Sequence, residues 1–342
     1  VILAIDQGTT GTTCLVFDGD ARIAGRAYSE FEQHFPRPGW VEHDATEIWE
    51  TTRRVAAAAI ADAGVDGGEL EAIGISNQRE TVVAWDPDSG EPIHRALVWQ
   101  DRRTAERCEE LRSDGREGLV RERTGLVIDP YFSATKIEWL LRNVAGAERA
   151  VFGTIDSWLL FKLTGRHATD RTNASRTMLF DIHRHAWDEE LCSMLGVEPA
   201  CLPEALPSSG VFGTTSEFGG EVPVAGIAGD QQAALFGQAC HAAGSAKNTY
   251  GTGSFVLLHT GPDLPEPAEG LLSTVACETG GAPAYALEAS IFVTGAAIQW
   301  LRDGLGIIAE AAETEALAAP LDGNDGVYFV PALTGLGSPH WD

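Results

Sequence analysis

The sequence predicts an α/β protein of two domains set around a cleft, the second of them incomplete. Three observations carry that expectation. The chain has 342 residues, more than one ordinary core organises. An apolar run that passes into a turn and a carboxylate, ending at Asp6 ahead of Gly8, is echoed at residues 222–228 ahead of Gly229 and Asp230. Beyond about Gly244 the succession of strands and turns starts again. The boundary is placed at residues 239–244, giving domains over 1–239 and 244–342.

Residues 1–6 read as a buried strand followed by the turn Gly8-Thr9-Thr10-Gly11. Residues 14–18 and 23–31 are strands separated by Gly19-Asp20. So short a link permits only antiparallel pairing, so they extend the same sheet. Asp44 opens a helical pattern that runs to about residue 63, with Glu47 three positions on in a capping arrangement. Residues 70–76 are the next strand, 80–85 an extended stretch and 86–90 a turn. Helical patterns recur at 104–111, 134–143, 157–163 and 187–195. Strand 222–228 and helix 231–238 end the first domain. In the second, strands 246–250 and 254–260 flank Gly251-Thr252-Gly253. Further strands are expected at 272–277, 284–288 and 327–331, with helices at 292–302 and 307–318. Several of these strands lack helices to cover them, and residues 333–342 stop inside a loop rich in Gly and Pro. Part of the natural chain is therefore expected to be absent.

Composition excludes some functions. Acidic residues number 50 against 24 basic ones, a formal charge of -26. Such a surface repels duplex DNA and RNA, which attract Lys and Arg footprints, so no nucleic-acid partner is expected. The acids are dispersed, and the lysines are Lys136, Lys162 and Lys247. Dispersed acid with scarce lysine points to a salt-adapted cytoplasm, where ions screen self-repulsion. No window reaches the ~18 uninterrupted apolar residues of a membrane span, so no stable membrane insertion is expected. Six cysteines occur without a CxxC pair, which fits reduced thiols in the cytosol.

Four stretches carry groups suited to chemistry. In Asp6-Gln7-Gly8-Thr9-Thr10 a strand end holds a carboxylate rigidly, and the glycine lets backbone amides approach an oxyanion. Asp6 suits a hydrated magnesium ion, which prefers oxygen ligands and keeps several waters. Taken alone the stretch reads first as a plain loop, and no GxxxxGK is present. Asp230 stands between a strand and a helix, either as a general base or as the helix N-cap. Tyr250-Gly251-Thr252-Gly253-Ser254-Phe255 is a hairpin turn or a second phosphate nest; paired with the first, it would clamp a polyphosphate. Ser76-Asn77-Gln78-Arg79-Glu80-Thr81 puts donors beside acceptors, and Trp99 and Asp101, with Arg102 and Arg103 next, add an aromatic wall among charges. That mixture suits a small polyol, although surface ion pairing explains each charge singly. Trp40 and Trp139 read as packing residues.

Together these motifs resemble the FGGY family of carbohydrate kinases, above all its glycerol-phosphorylating members. The resemblance runs from Asp6-Gln7-Gly8-Thr9-Thr10 to Leu336-Gly337-Ser338-Pro339-His340-Trp341-Asp342. Its most specific parts are Gly74 to Thr81, Val98-Trp99-Gln100-Asp101-Arg102-Arg103-Thr104, Gly229-Asp230-Gln231-Gln232 and Asn248-Thr249-Tyr250-Gly251-Thr252-Gly253. It implies two ribonuclease H-like (actin-like ATPase) domains, and ATP-dependent phosphorylation of glycerol with Mg2+. Arg79, Glu80, Tyr131, Asp230 and Gln231 match positions that hold glycerol hydroxyls, and Trp99 and Phe255 match its apolar walls. Asp230 matches the general base and Asp6 the carboxylate near magnesium. Thr9, Thr10 and Gly11 match the phosphate loop, and Thr252, Gly295 and Gln299 the nucleotide contacts. Thr12 and Thr13 continue the first loop. Gly11 stands where serine is common, and Cys14 where many members carry an arginine near the phosphates. The expected partners are glycerol and ATP, with a homo-oligomer left open.

Overall fold

A computed structural model of the chain describes residues 1–341 apart from 267, 279–281 and 334. Asp342, the end of the last quoted motif, lies outside the described residues. The first domain is built on a six-stranded sheet. Its order is Ser209–Thr215, Val222–Gly229, Ala72–Asn77, Ile2–Gln7, Gly11–Phe17 and Ile23–Glu30. The three central strands are parallel, and both edges turn antiparallel. The Asp18-to-Arg22 link makes the expected hairpin: the Asp18 amide donates to the Arg22 carbonyl at 3.0 Å.

Register is the feature that positions function. Asp6 stands opposite Ser76, and Ser76 opposite Ala228. One step on, Gln7, Asn77 and Gly229 lie level. The three parallel strands therefore end together, the place where ligands collect on open α/β sheets.

One sheet face is covered by the helices Ala45–Asp62 and Ile155–Thr164. In the first, Ile48, Thr51, Thr52, Val55, Ala56, Ala59 and Ile60 recur at helical spacing and are buried against Leu3, Ile5, Cys14 and Val16. Asp44 caps it, accepting from the amides of Thr46 and Glu47. Glu47 does not complete a capping box: its carboxylate accepts from the Glu32 amide at 3.1 Å and ties the incoming strand to the helix. A second apolar core, including Val82, Leu111, Val120, Phe132, Leu140, Phe152 and Leu191, fills the region between residues 82 and 202. Ala134–Asn143 forms as expected, and Glu117–Thr124 is an additional helix.

The second domain presents a four-stranded antiparallel sheet, ordered Ala246–Tyr250, Ser254–Gly261, Tyr285–Ile291 and Leu272–Val275. Beyond it three expectations fail. The helix over 292–302 shortens to Gly295–Gln299 followed by a wider turn, Trp300–Gly304. Phe292 and Val293 are drawn into the second core instead, and the Thr294 amide donates to the Thr252 carbonyl. The helix over 307–318 reduces to Glu313–Ala318. Residues 327–331 form no strand; Val327 and Tyr328 are exposed, and among the described residues no strand lies beside them.

Gly25 tests how the long helix meets the sheet. A Cβ there would stand 2.3 Å from the Ala59 carbonyl oxygen. Gly25→Ala should therefore strain the contact by ~1–3 kcal/mol, the usual cost of overpacking. A thermal melt followed by circular dichroism should show a clearly lower midpoint, and an unchanged midpoint would contradict this packing.

Candidate active site

The level strand ends gather the candidates. The turn at residues 8–11 closes when the Gly8 amide donates to the Gly11 carbonyl at 2.9 Å. Gly11 is required there: a Cβ would meet the Ser29 carbonyl oxygen at 2.6 Å and the Tyr28 ring at 2.8 Å. Beneath the turn lies a relay of polar groups. Gln78 Nε2 donates to Gln7 Oε1 at 3.0 Å, and Gln33 Nε2 donates to the Thr9 carbonyl at 3.0 Å. His43 Nε2 lies 2.7 Å from Gln33 Oε1, and burial lowers its pKa to about 3, so it sits there neutral. Thr10 is exposed and free to meet a ligand, whereas Thr9 Oγ1 accepts from Trp99 Nε1 at 2.8 Å.

Trp99 opens an aromatic wall. Its ring lies 5.7 Å from Tyr131 and 6.4 Å from both Phe255 and Phe292, measured between centroids. Phe292, within an expected helix, is a wall residue that the sequence reading missed. Asp101 and Arg103 take the structural role: Asp101 accepts from the Val41 amide at 2.7 Å, and Arg103 lies over Trp40 at 3.7 Å. Trp40 and Trp139 pack edge to face at 5.5 Å.

Beside the wall, Arg79 and Glu80 are both buried. Arg79 Nη1 and Nη2 donate to the Glu288 carboxylate at 2.7 and 2.9 Å, and Nη1 also donates to Gln232 at 3.1 Å. Arg176 Nε donates to Glu80 Oε1 at 2.7 Å. Glu288, Arg176 and Gln232 were not singled out from sequence. Burial pushes the Glu288 carboxyl up, but Arg176 and Arg79 overrule it and hold it well below the usual carboxylate range. Tyr131 is pushed up by burial and by Glu80, so it stays a neutral hydroxyl.

Asp230 is the first residue of the helix Asp230–Gly237; Gly229 is its N-cap and no side chain caps it. The capping alternative therefore falls, and the carboxylate is released toward the cleft. The side chain is 36 % exposed, yet Oδ1 is buried with no hydrogen-bond partner among the described residues, 3.4 Å from Arg79 Nε. Burial raises the pKa to about 6; Arg79 opposes the rise, and Glu80 and Asp6 add to it. Gln231 is buried and accepts from Lys247 Nζ, which also donates to the Phe255 carbonyl at 3.2 Å.

Asp6 opens on a groove shared with Thr13, Ser76, Ala228 and Glu278. Burial on its strand side raises its pKa, and a bond from Ser76 works against the rise. Among the described residues no group of three or more acids, histidines or cysteines is arranged to enclose a metal. A hard carboxylate whose charge reaches that of Asp230 fits magnesium, which keeps most of its waters and binds phosphate oxygens. Cys14 does not face this groove. It is fully buried in the first core, where burial pushes its thiol up to about 12, so the expectation of a phosphate-side position is corrected. Strand alternation puts Thr13, directly opposite Asp6, on the groove side.

Across the site, residues 251–253 do form a hairpin, with the Gly251 amide donating to the Gly253 carbonyl at 2.8 Å. The Gly295 amide donates to the Gly251 carbonyl at 3.0 Å, and a Cβ on Gly295 would meet that oxygen at 2.4 Å. Thr252 and Gly295 are thus brought together, with Gln299 exposed at the end of the same short helix.

This is a kinase-type arrangement: an open carboxylate between a glycine turn and a glycine hairpin, walled by aromatics. Comparison with known proteins agrees. The profile of the N-terminal domain of the FGGY family of carbohydrate kinases matches residues 1–237, and that of its C-terminal domain matches residues 246–342. The chain belongs to the FGGY family of carbohydrate kinases. Among curated relatives it is 57 % identical to a glycerol kinase of Trichlorobacter lovleyi, over 100 % of this chain and 71 % of that protein. It is 55 % identical to a glycerol kinase of Haloferax volcanii, over 99 % of this chain and 71 % of that protein. Among solved structures, Plasmodium falciparum glycerol kinase with ADP superposes with a TM-score of 0.89 at 35 % identity, covering 100 % of this chain and 70 % of that one.

The raised Asp230 pKa has a direct consequence. A carboxyl accepts a substrate proton only when ionised, and here ionisation is half complete near pH 6 rather than near 4. kcat/KM should therefore be flat above about pH 7 and fall roughly tenfold per unit below about pH 6. A pH–rate profile flat down to pH 4.5 would separate Asp230 from the reacting proton.

Proposed function

We propose that this chain transfers the γ-phosphoryl group of ATP to a terminal hydroxyl of glycerol, with Asp230 as general base. The observation that carries the reading is the Asp230 carboxylate, open to the cleft and placed among Arg79, Glu80 and Tyr131. Those polar groups suit vicinal hydroxyls, and Trp99 and Phe255 suit the carbon-bound hydrogens between them. The identity of more than half of all positions with curated glycerol kinases supports the same substrate.

In the reaction the glycerol oxygen attacks the γ-phosphorus as the bond to the ADP oxygen breaks, and the hydroxyl proton passes to Asp230. Thr10, at the exposed tip of the 8–11 turn, faces the phosphates from one side. Thr252, Gly295 and Gln299 hold the nucleotide from the other. Asp6 would hold hydrated magnesium, whose chemistry is to neutralise charge on the phosphoryl oxygens. Residues 1–239 then form the glycerol and phosphate side, and residues 244–342 the nucleotide side.

Asp230→Asn keeps size and removes the proton acceptor. Turnover at saturating glycerol and ATP should fall about a hundred- to ten-thousand-fold, the usual range for a lost general base. Calorimetry should show that both substrates still bind. Near-normal turnover would remove Asp230 from the chemistry, and wild-type protein preferring a ketose or aldonate in a substrate panel would overturn glycerol.

We further propose a salt-rich cytoplasm as the working environment. Of the three lysines, Lys136 and Lys247 are buried, so the surface is all but stripped of lysine while acid remains. Repulsion across such a surface is felt over ~10 Å at 0.1 M salt and only ~3 Å at 1 M. Ligand-free protein should therefore melt at a higher temperature in molar KCl than in dilute buffer, and equal midpoints would count against salt adaptation.

A further inference from the structure

Glu288 stands in the strand Tyr285–Ile291, whose other buried residues are Tyr285, Ala286 and Ser290. A carboxylate with no exposure is costly unless paired and hydrogen-bonded. Here it takes both terminal nitrogens of Arg79, Nη2 of Arg176 at 3.2 Å and the Ser290 hydroxyl at 2.7 Å. A guanidinium held at two points has its plane fixed, unlike one held at a single point.

The consequence falls on Arg79. With Nη1 given to Glu288 and Gln232, and Nη2 to Glu288 and the Tyr131 hydroxyl at 3.4 Å, Arg79 cannot turn its fork onto Asp230. Its Nε edge is what faces Glu80, at 3.7 Å, and Asp230, at 3.4 Å. Arg176 performs the matching service for Glu80. The clamp also joins two regions of the chain, because Arg79 and Glu80 follow a first-domain strand and Glu288 lies in the second-domain sheet.

We propose that Glu288 is a positioning residue for the polyol: reaching over from the second domain, it locks the plane of Arg79 so that Arg79 and Glu80 present one fixed edge to the substrate hydroxyls. The proposal rests on the polyol-binding reading of Arg79 and Glu80. It predicts that Glu288 governs substrate affinity far more than it governs the chemical step.

The test is steady-state kinetics on the full-length protein bearing Glu288→Gln or Glu288→Asp. Gln keeps the volume but replaces one acceptor with a donor that faces a guanidinium donor. The glycerol KM should rise about tenfold or more, with a smaller loss of kcat and little change in the ATP KM. Asp keeps the charge with a shorter reach, and its glycerol KM should lie between wild type and Gln. A role confined to stability would lower the melting temperature and leave the glycerol KM of the folded enzyme unchanged, which overturns the proposal. If Glu288→Gln does not fold, Glu288→Asp decides alone: a raised glycerol KM supports positioning and an unchanged one overturns it. Wild-type protein is run beside the variants on glycerol, xylulose and gluconate. Wild-type preference for a sugar defeats the glycerol assignment, and the KM split on that preferred substrate still judges Glu288.

Discussion

Three parallel strands that end at one level are the constraint on which the site depends. Were any of them to slip by one residue, its side chains would exchange faces, carrying Asp6 or the approach to Arg79 and Asp230 into the core. The register is protected from below. Asn77 and Asn173 exchange amide bonds at 2.9 and 3.0 Å, and the Gly229 amide donates to the Thr172 hydroxyl at 2.9 Å. Both contacts pin strand ends to the short helix Arg171–Ala174, which Asp170 caps. Gly229 serves the site in a second way. A Cβ there would stand 2.7 Å from Cγ and Cδ of Arg79, so the missing side chain is the passage through which Arg79 reaches Glu288.

The charge distribution separates the surface from the site. Lys136 is fully buried and donates to the carbonyls of Pro130, Tyr131 and Phe132, which fixes the loop that presents the Tyr131 hydroxyl. Lys247 braces Gln231 and the Phe255 backbone. Burial lowers both ammonium groups to about 8. A buried ammonium with several carbonyl acceptors cannot be replaced by the broader, planar guanidinium without rebuilding its surroundings. A chain with almost no surface lysine thus keeps it where a compact donor is needed, directly behind the residues proposed to hold the substrate.

Much of this was legible in the sequence, and the reasons are physical. The strands Ile2–Gln7 and Val222–Gly229 announce themselves because each is an apolar run that leads into glycine and a carboxylate. The long helix is readable from Asp44 and its apolar spacing. Asp230, Arg79 and Trp99 stand in short polar runs after apolar ones. Glu288 and Arg176 were invisible for the opposite reason. Each is a charged residue in an ordinary-looking stretch, and its meaning comes only from a partner 209 or 112 residues away. Cys14 was misplaced because sequence position alone does not say which face of a strand a residue occupies. The stretch after Gly304 misled for want of packing: its helical and strand patterns meet no covering layer among the described residues, and propensity without burial does not hold an element.

The last link concerns how two consecutive residues reach the same site. In an extended backbone neighbours point to opposite faces, so Arg79 and Glu80 could not both turn toward Arg176 and Glu288 if the strand simply continued. The chain breaks the alternation at Glu80, whose φ is 63°, a left-handed conformation that a non-glycine residue adopts at a cost of ~1–3 kcal/mol. The surroundings over-determine it. The Ser133 hydroxyl donates to the Glu80 carbonyl at 2.9 Å, Arg176 holds the carboxylate, and the Thr81 amide donates back to the Arg79 carbonyl at 2.8 Å. A glycine would relieve the strain and forfeit the carboxylate, so strain and function are here the same choice. The kink sets acid beside base, the Glu288 clamp fixes their plane, and the level strand ends bring Asp230 to the edge they share.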